Sequence, residues 1–240
     1  MLLKMKIPLY EDNKGFVELV DAVGSDLSVV NSARVSFGKH KTELDEKDKK
    51  LIKYLIKHKH TSTLEHCFVT FRVKVPLFVR SQHHRHRTWS YNEISRRYTD
   101  FDIQFYEPNL FRTQHKSNRQ ASNVDDLLNP LVRWGSANLV NPSPTLASKC
   151  VKEHHRHSLK LFNQLIEAGV CREQARGVLP QNMYTEYYAS ANLNNILKFI
   201  DLRTHEGAQK EIQDMAKGMQ EIITKLYPVT VGAYREIRAA

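Results

Sequence analysis

Between Gln82 and Tyr98 the chain reads QHHRHRTWSYNEISRRY, its densest run of polar chemistry. The stretch mixes arginines and histidines with hydroxyls and one carboxylate, and apolar residues lie beside it. Guanidinium groups match phosphate oxygens bidentately, and a carboxylate and hydroxyls can fix a sugar and a base. A nucleotide site is the physical reading. The alternative is a solvated basic patch, formed by Arg85, His86 and Arg87, that touches nucleic-acid backbone without catalysis. A second unusual residue is Arg203, which continues an apolar stripe of Ile196, Phe199 and Ile200. Burying a guanidinium there is costly unless it is paired or meets a polar or anionic ligand.

Three other groups carry less. Glu153, His154, His155 and His157 contain metal-ligand residue types, but neighbouring helix positions point in different directions, so they read as a polar helix surface and no metal is expected. Cys67, Cys150 and Cys171 are far apart and form no CxxC pair, which fits small buried thiols in a reducing compartment better than a disulfide framework or a zinc site. Tyr184, Tyr187 and Tyr188 read as strand packing or interface. The Lys53–Lys59 run reads as a solvated face, because no aromatic platform is interleaved with it.

These residues need elements to hold them. Apolar spacing predicts a helix over residues 44–58 with Thr42 as its N-cap. Alternation of Phe71, Val73 and Val75 with Thr70, Arg72 and Lys74 predicts a half-buried strand ended by Pro76. Pro76 then opens a helix running to Arg87, with Phe78, Gln82 and Arg85 on one face. Residues 91–106 read as extended chain, projecting Glu93, Ser95 and Arg97 to one side. Residues 107–144 are rich in Asn, Ser, Pro and Gln, and read as an elaborated loop or insertion with too little apolar surface for its own core. Helices are predicted from about Val151 to before Gly169, over 172–178, from Asn192 to Arg203, and from about Ala208 to Leu226 with Pro228 as the stop. A strand is predicted over 183–191. The fold class is α+β, and the 240 residues form a single catalytic domain.

Composition bounds the partners. With 41% hydrophobic and 26% charged residues the chain is ordinarily globular. Thirty-six Lys and Arg against 26 Asp and Glu give a net charge of +10, which favours anionic partners. The first six residues, MLLKMK, lack a long apolar run, and no stretch approaches a membrane span, so a cytoplasmic protein with no membrane partner is expected.

Arg85-His86-Arg87 followed by seven residues and Ser95, extended by Asn92 to Tyr98, resembles the signature of the flavin-dependent thymidylate synthases. Ser32 to Phe37, His60 to His66, Ala175 to Asn182, Asn192, Phe199 to Arg203, Ala208-Gln209 and Glu211-Ile212 resemble further blocks of that family in order. The resemblance spans most of the chain outside 107–144. It implies an α+β fold with a mixed or antiparallel sheet flanked by helices, and conversion of dUMP to dTMP. The carbon would come from methylenetetrahydrofolate and the reducing equivalents from NADPH through bound FAD. It further implies a homotetramer whose active sites are shared between subunits, with no nucleic-acid partner. By the same resemblance Gln82, Arg85, Glu93, Ser95, Arg96, Arg97, Arg176 and Arg203 bind dUMP, with Ser95 and Arg97 on the phosphate. Arg203 would polarise the uracil, favour ionisation at N3 and be the catalytic residue. The flavin set is His60, Ser62, Arg85, His86, Arg87, Glu93, Asn192, Asn194 and Lys198, with Ser62 reaching in from a neighbouring subunit. Lys198 departs from the Asn or His common there. No cysteine falls in the matched substrate blocks, so flavin rather than a thiol nucleophile carries the chemistry.

Overall fold

The computed structural model describes residues 5–134 and 143–239; the expectations for the start of the chain and for residues 135–142 of the insertion lie outside these. Five strands make an antiparallel sheet in the order β1-β2-β3-β9-β4: β1 (Lys6–Leu9), β2 (Gly15–Val23), β3 (Phe68–Pro76), β4 (Ser90–Glu93) and β9 (Tyr184–Asn192). Alternation sets the two faces of β3, where Val69, Phe71, Val73 and Val75 are fully buried while Thr70, Arg72 and Lys74 face outward. β9 follows suit, burying Tyr187, Ala189 and Ala191. The outward rows cross-link, Thr70 to Ser190 and Arg72 to Glu186.

One core fills the space between this sheet and α1 (Asp26–Arg34), α2 (Glu46–Lys57), α6 (Leu193–Thr204), α7 (Lys210–Leu226) and α8 (Pro228–Ala239). A smaller cluster of Phe105, Phe162, Ala175, Leu179 and Met183 lies beneath α4 (Ala147–Glu167) and α5 (Arg172–Ala175). Gly169 closes α4 with φ +87°, the left-handed geometry expected just past a helix end.

Several expected boundaries shift. Asp45, not Thr42, caps α2: it accepts from Asp48 N at 2.9 Å, and Asp48 returns a bond to Asp45 N at 3.1 Å. α3 (Leu77–His83) stops four residues short of Arg87, because His83 turns into an aromatic box and tight turns follow to Thr88, whose φ is +63°. Arg85 therefore lies beyond the helix and shares no helical face with Gln82. Residues 95–99 are not extended: the amides of Tyr98 and Thr99 both bond Ser95 O, so the strand ends at Glu93 and a turn begins. Pro228 both ends α7 and opens α8, an element that the sequence reading passes over, as it does β1, β2 and α1.

The 107–144 insertion contains short paired strands. β5 (Phe111–Gln114) and β6 (Ser122–Leu128) form a hairpin, and β7 (Leu131–Val132) pairs with β8 (Thr145–Leu146), which lies just past the insertion. β6 is largely exposed, in keeping with the lack of apolar residues for a separate core.

Candidate active site

Pro76 turns the chain from β3 into α3, and the end of α3 brings Gln82 and the Arg-His-Arg corner against the last turn of α6. Arg203 is held there on three sides. Its Nε donates to His86 Nε2 at 3.0 Å, Nη2 to Gln82 O at 3.2 Å, and Nη1 to Gln82 Oε1 at 3.5 Å. His86 must keep a bare Nε2 to accept, so it is the neutral Nδ1–H tautomer. Burial, with the Arg203 charge adding to it, pushes His86 down to about 4, which keeps it neutral near pH 7. The expense anticipated for an arginine on an apolar stripe is met by this cradle of acceptors.

The box behind the corner fixes its shape. His83 is fully buried among Trp89, Tyr91, Tyr187 and Phe199, with Nδ1 2.9 Å from the Tyr187 hydroxyl. Burial drives its pKa well below the ordinary value, so it too is neutral. Tyr184 and Tyr187 pack as expected, whereas Tyr188 is half exposed.

A cavity of about 570 Å3 opens between α3, the end of β4 and the turn after α5. Glu93, Ser95, Arg96 and Arg176 line it together, as do Arg80 and Thr185. That volume is of the size that takes small-molecule ligands. Glu93 accepts from Arg80 Nε at 3.1 Å and from Thr185 Oγ1 at 2.6 Å. Arg80 and Thr185 are contributors the sequence reading missed; Arg80 precedes Gln82 on the same short helix, outside the quoted signature. Arg96 is 7% exposed, donates from Nη1 to Phe101 O at 2.7 Å, and has no hydrogen-bond partner at Nε among the described residues. Arg176 is exposed at the mouth, and its side chain makes no ion pair or hydrogen bond among the described residues. Arg97 does not join this group: it is exposed and pairs with Glu173 at 3.3 Å.

A third group collects at the other end of α6. Asn192 caps this helix, accepting from Asn195 N at 2.9 Å, and Asn194 donates to Glu65 Oε1 at 3.1 Å. The turn Thr61–Leu64, with His60 before it and Ser62 exposed within it, packs against α6 here. Asn194 and Arg203 are separated by nine residues of one helix, about 13 Å of rise, so α6 is a ruler between the two polar ends. Lys198 is exposed on that helix, with no hydrogen bond or ion pair among the described residues. Arg85 and Arg87 are also exposed and lack side-chain partners among the described residues. Free guanidiniums at one end, and the Asn192 amide beside the exposed His60 and Ser62 at the other, fit FAD, which carries a pyrophosphate and a ring rich in acceptors; Asn194 is buried with its amide held by Glu65.

The remaining candidates settle elsewhere. His155 is not on the polar surface: it is buried, stacks on Phe105 and bonds Glu107 at 3.0 Å, while His154 and His157 lie against the Trp134 ring. Cys67 and Cys150 are buried but Cys171 is exposed. Burial pushes the Cys67 thiol up to about 11, which removes it as a nucleophile near neutrality.

Comparison with known proteins identifies the family. Residues 18–229 match the family described as thymidylate synthase complementing protein. A flavin-dependent thymidylate synthase of Thermotoga neapolitana is 40% identical over 96% of this chain and 94% of its own length. One of Kosmotoga olearia is 40% identical over 96% and 93%. Among solved structures, the UMP/dUMP methylase PolB of Streptomyces cacaoi bound with 5-bromo-UMP superposes with a TM-score of 0.76, at 31% identity over 96% of this chain and 97% of that one. The same enzyme bound with 5-bromo-dUMP superposes with the same score at 33% identity. The alternative of a basic nucleic-acid module finds no support in these relatives. Signature, architecture and relatives converge, and the chain belongs to the flavin-dependent thymidylate synthase family.

Proposed function

We propose that this chain, as a single catalytic domain, converts dUMP to dTMP by reductive methylation, with FAD as its bound cofactor, methylenetetrahydrofolate as carbon donor and NADPH as reductant. The observation that carries the reading is the cradle of Arg203 between Gln82 and His86, together with a cavity lined by Glu93, Ser95, Arg96 and Arg176. In this reading the cavity's arginines and the Ser95 hydroxyl neutralise and bond the nucleotide phosphate, with Arg97 at the rim. Glu93, already fixed by Arg80 and Thr185, orients the nucleotide and faces the flavin. Gln82, Arg85 and Arg203 meet the base. The Arg203 charge makes loss of the N3 proton from uracil less costly and stabilises negative charge developing on the ring. Neutral His86 supports this by accepting from Arg203 instead of competing with it as a second cation.

FAD supplies the reducing chemistry when bound. Arg85, Arg87 and His86 at the corner, Asn192 and Asn194 at the start of α6, Lys198 on that helix, and His60 and Ser62 in the adjoining turn are the side chains that would hold it. No described helix is long and apolar enough to cross a membrane. The free thiols fit a cytoplasmic setting, where dUMP and folate would be met in solution.

The test is the Arg203→Ala variant. The native protein purifies with an oxidised-flavin absorbance that bleaches on NADPH addition and forms dTMP from dUMP. Arg203→Ala keeps the fold and much of the flavin but loses dTMP formation by about a thousandfold, the scale of removing a preorganised charge from a transition state. A variant with native turnover would remove Arg203 from catalysis, and a native protein that neither carries nor takes up FAD would remove the whole reading.

A further inference from the structure

The Arg203 cradle continues as a chain of side-chain hydrogen bonds, all donating in one direction. Arg203 Nη1 donates to Gln82 Oε1 at 3.5 Å, Gln82 Nε2 to Gln209 Oε1 at 2.6 Å, and Gln209 Nε2 to Glu211 Oε2 at 2.9 Å. The chain ends on a carboxylate that is 4% exposed. Arg112, reaching across from the β5–β6 hairpin, grips both oxygens of that carboxylate at 2.8 and 2.9 Å, and the Tyr106 hydroxyl donates to it at 3.1 Å.

An amide can point either way, and its neighbours decide which. An ionised carboxylate only accepts, so Gln209 must turn its NH2 towards Glu211. Its carbonyl then faces Gln82, which must in turn offer its own NH2. That leaves the Gln82 carbonyl for Arg203. Reversing either amide sets two acceptors or two donors against each other. Burial alone would push the Glu211 carboxyl upward, but Arg112 and the bond from Gln209 outweigh it and hold the group below its ordinary value. The acceptor end of the chain is therefore permanent near neutrality.

We propose that Glu211, paired with Arg112 from the insertion hairpin, is a positioning residue that fixes the direction of this chain and so the face that Gln82 and Arg203 present to the substrate base. The inference rests on the reading of Gln82 and Arg203 as dUMP contacts. It gives the insertion a role: its hairpin supplies the counter-charge that keeps the terminal acceptor ionised. A residue with no place beside the base thus governs how the base is met.

The test compares the native flavin-loaded protein with Glu211→Gln and with Glu211→Gln combined with Gln209→Glu. Glu211→Gln keeps the shape but replaces an obligate acceptor with an amide of either polarity. The double variant moves the carboxylate to position 209, where it accepts directly from Gln82. Measured quantities are dUMP affinity by calorimetry, KM and kcat for dUMP, KM for NADPH, flavin content and melting temperature. Loss of a hydrogen-bond network terminating on a charge is expected to weaken dUMP binding and raise its KM by about tenfold or more in Glu211→Gln, with flavin content and KM for NADPH unchanged. The double variant should recover most of the dUMP affinity. Glu211→Gln within twofold of native on dUMP overturns the inference. So does a loss that the double variant fails to restore, since Glu211 would then act only through stability. A native protein that binds no dUMP overturns the reading of Gln82 and Arg203 themselves, an outcome seen before any variant is compared.

Discussion

His86 serves Arg203 only while it is uncharged, and that condition has a pH window. An unperturbed histidine titrates near 6.5, whereas burial and the Arg203 guanidinium take His86 down to about 4. On acidification the unfolded chain therefore takes up this proton before the folded one does. The stability tied to His86 is complete above about pH 6.5 and is lost progressively as pH falls towards 4. His83, held low chiefly by burial, adds a dependence of the same sign. Urea unfolding followed from pH 7.5 to 4.5 should show stability falling with pH, and His86→Asn, which keeps an acceptor without the titration, should flatten part of that slope. An unchanged slope would mean that His86 titrates normally in the folded protein. At this scale the sequence was informative about residue type and silent on partners. Arg-His-Arg, Ser95 and Arg203 stand out as letters, but the bond from Arg203 to His86 joins segments far apart in the chain. Arg97 and His155 show the converse: spacing projects the first to the same side as Glu93 and Ser95 and leaves the second on the surface, whereas packing turns Arg97 onto Glu173 at the rim and buries His155.

Elements were legible where one face is apolar and the ends are marked. β3 reads cleanly because its inward residues are all Val or Phe, and Asn192 announces α6 by capping it. Nothing local in QHHRHR forbids a helix, so spacing alone carries α3 too far; the break comes from His83 turning into its aromatic box. α8 is hidden by the second use of proline: Pro228 stops α7, but proline is equally suited to a first helical turn, as at Pro76. What holds α8 in place is remote in sequence. The buried Asp26 at the start of α1 accepts from Val229 N at 3.0 Å, from Thr230 N at 2.8 Å and from the Thr230 hydroxyl at 2.6 Å. One carboxylate thus satisfies the orphan amides of a helix 200 residues away in the chain, and its charge favours the positive end of that helix. Asp26→Ala removes the cap and leaves buried donors unpaired, so it should destabilise the protein by about 2–3 kcal/mol in urea unfolding. Because Asp26 touches none of the candidate site residues, kcat per folded molecule should remain native. A loss of turnover at full folding would show that α8 reaches the site in some other way.

At the scale of the whole molecule we propose that further copies of the chain complete the site. Large apolar side chains stand in solvent, three of them beside residues proposed to act: Tyr98, next to Arg97, is 80% exposed; Phe101, whose carbonyl holds Arg96, is 78%; Leu202, next to Arg203, is 58%; and Phe37, in the Ser32–Phe37 block, is 78%. Apolar groups gathered around functional residues mark surfaces that another protein covers. The flavin set is likewise divided, with the Arg-His-Arg corner at one end of α6 and Ser62 with the two asparagines at the other. Further copies of the chain packed over these residues would bury the apolar groups and bring a second subunit's Ser62 to the cofactor, which is the shared-site homotetramer we propose. Light scattering should then give roughly four times the 27.9 kDa chain mass. Phe37→Glu places a charge where an apolar contact is expected, and desolvating that charge is costly enough to disfavour assembly. The variant should therefore elute as a smaller species, and its oxidised-flavin absorbance should fall with the loss of tetramer. A monomeric variant that keeps its full complement of FAD would show that each chain builds the flavin site alone, and the exposed aromatic residues would need another partner.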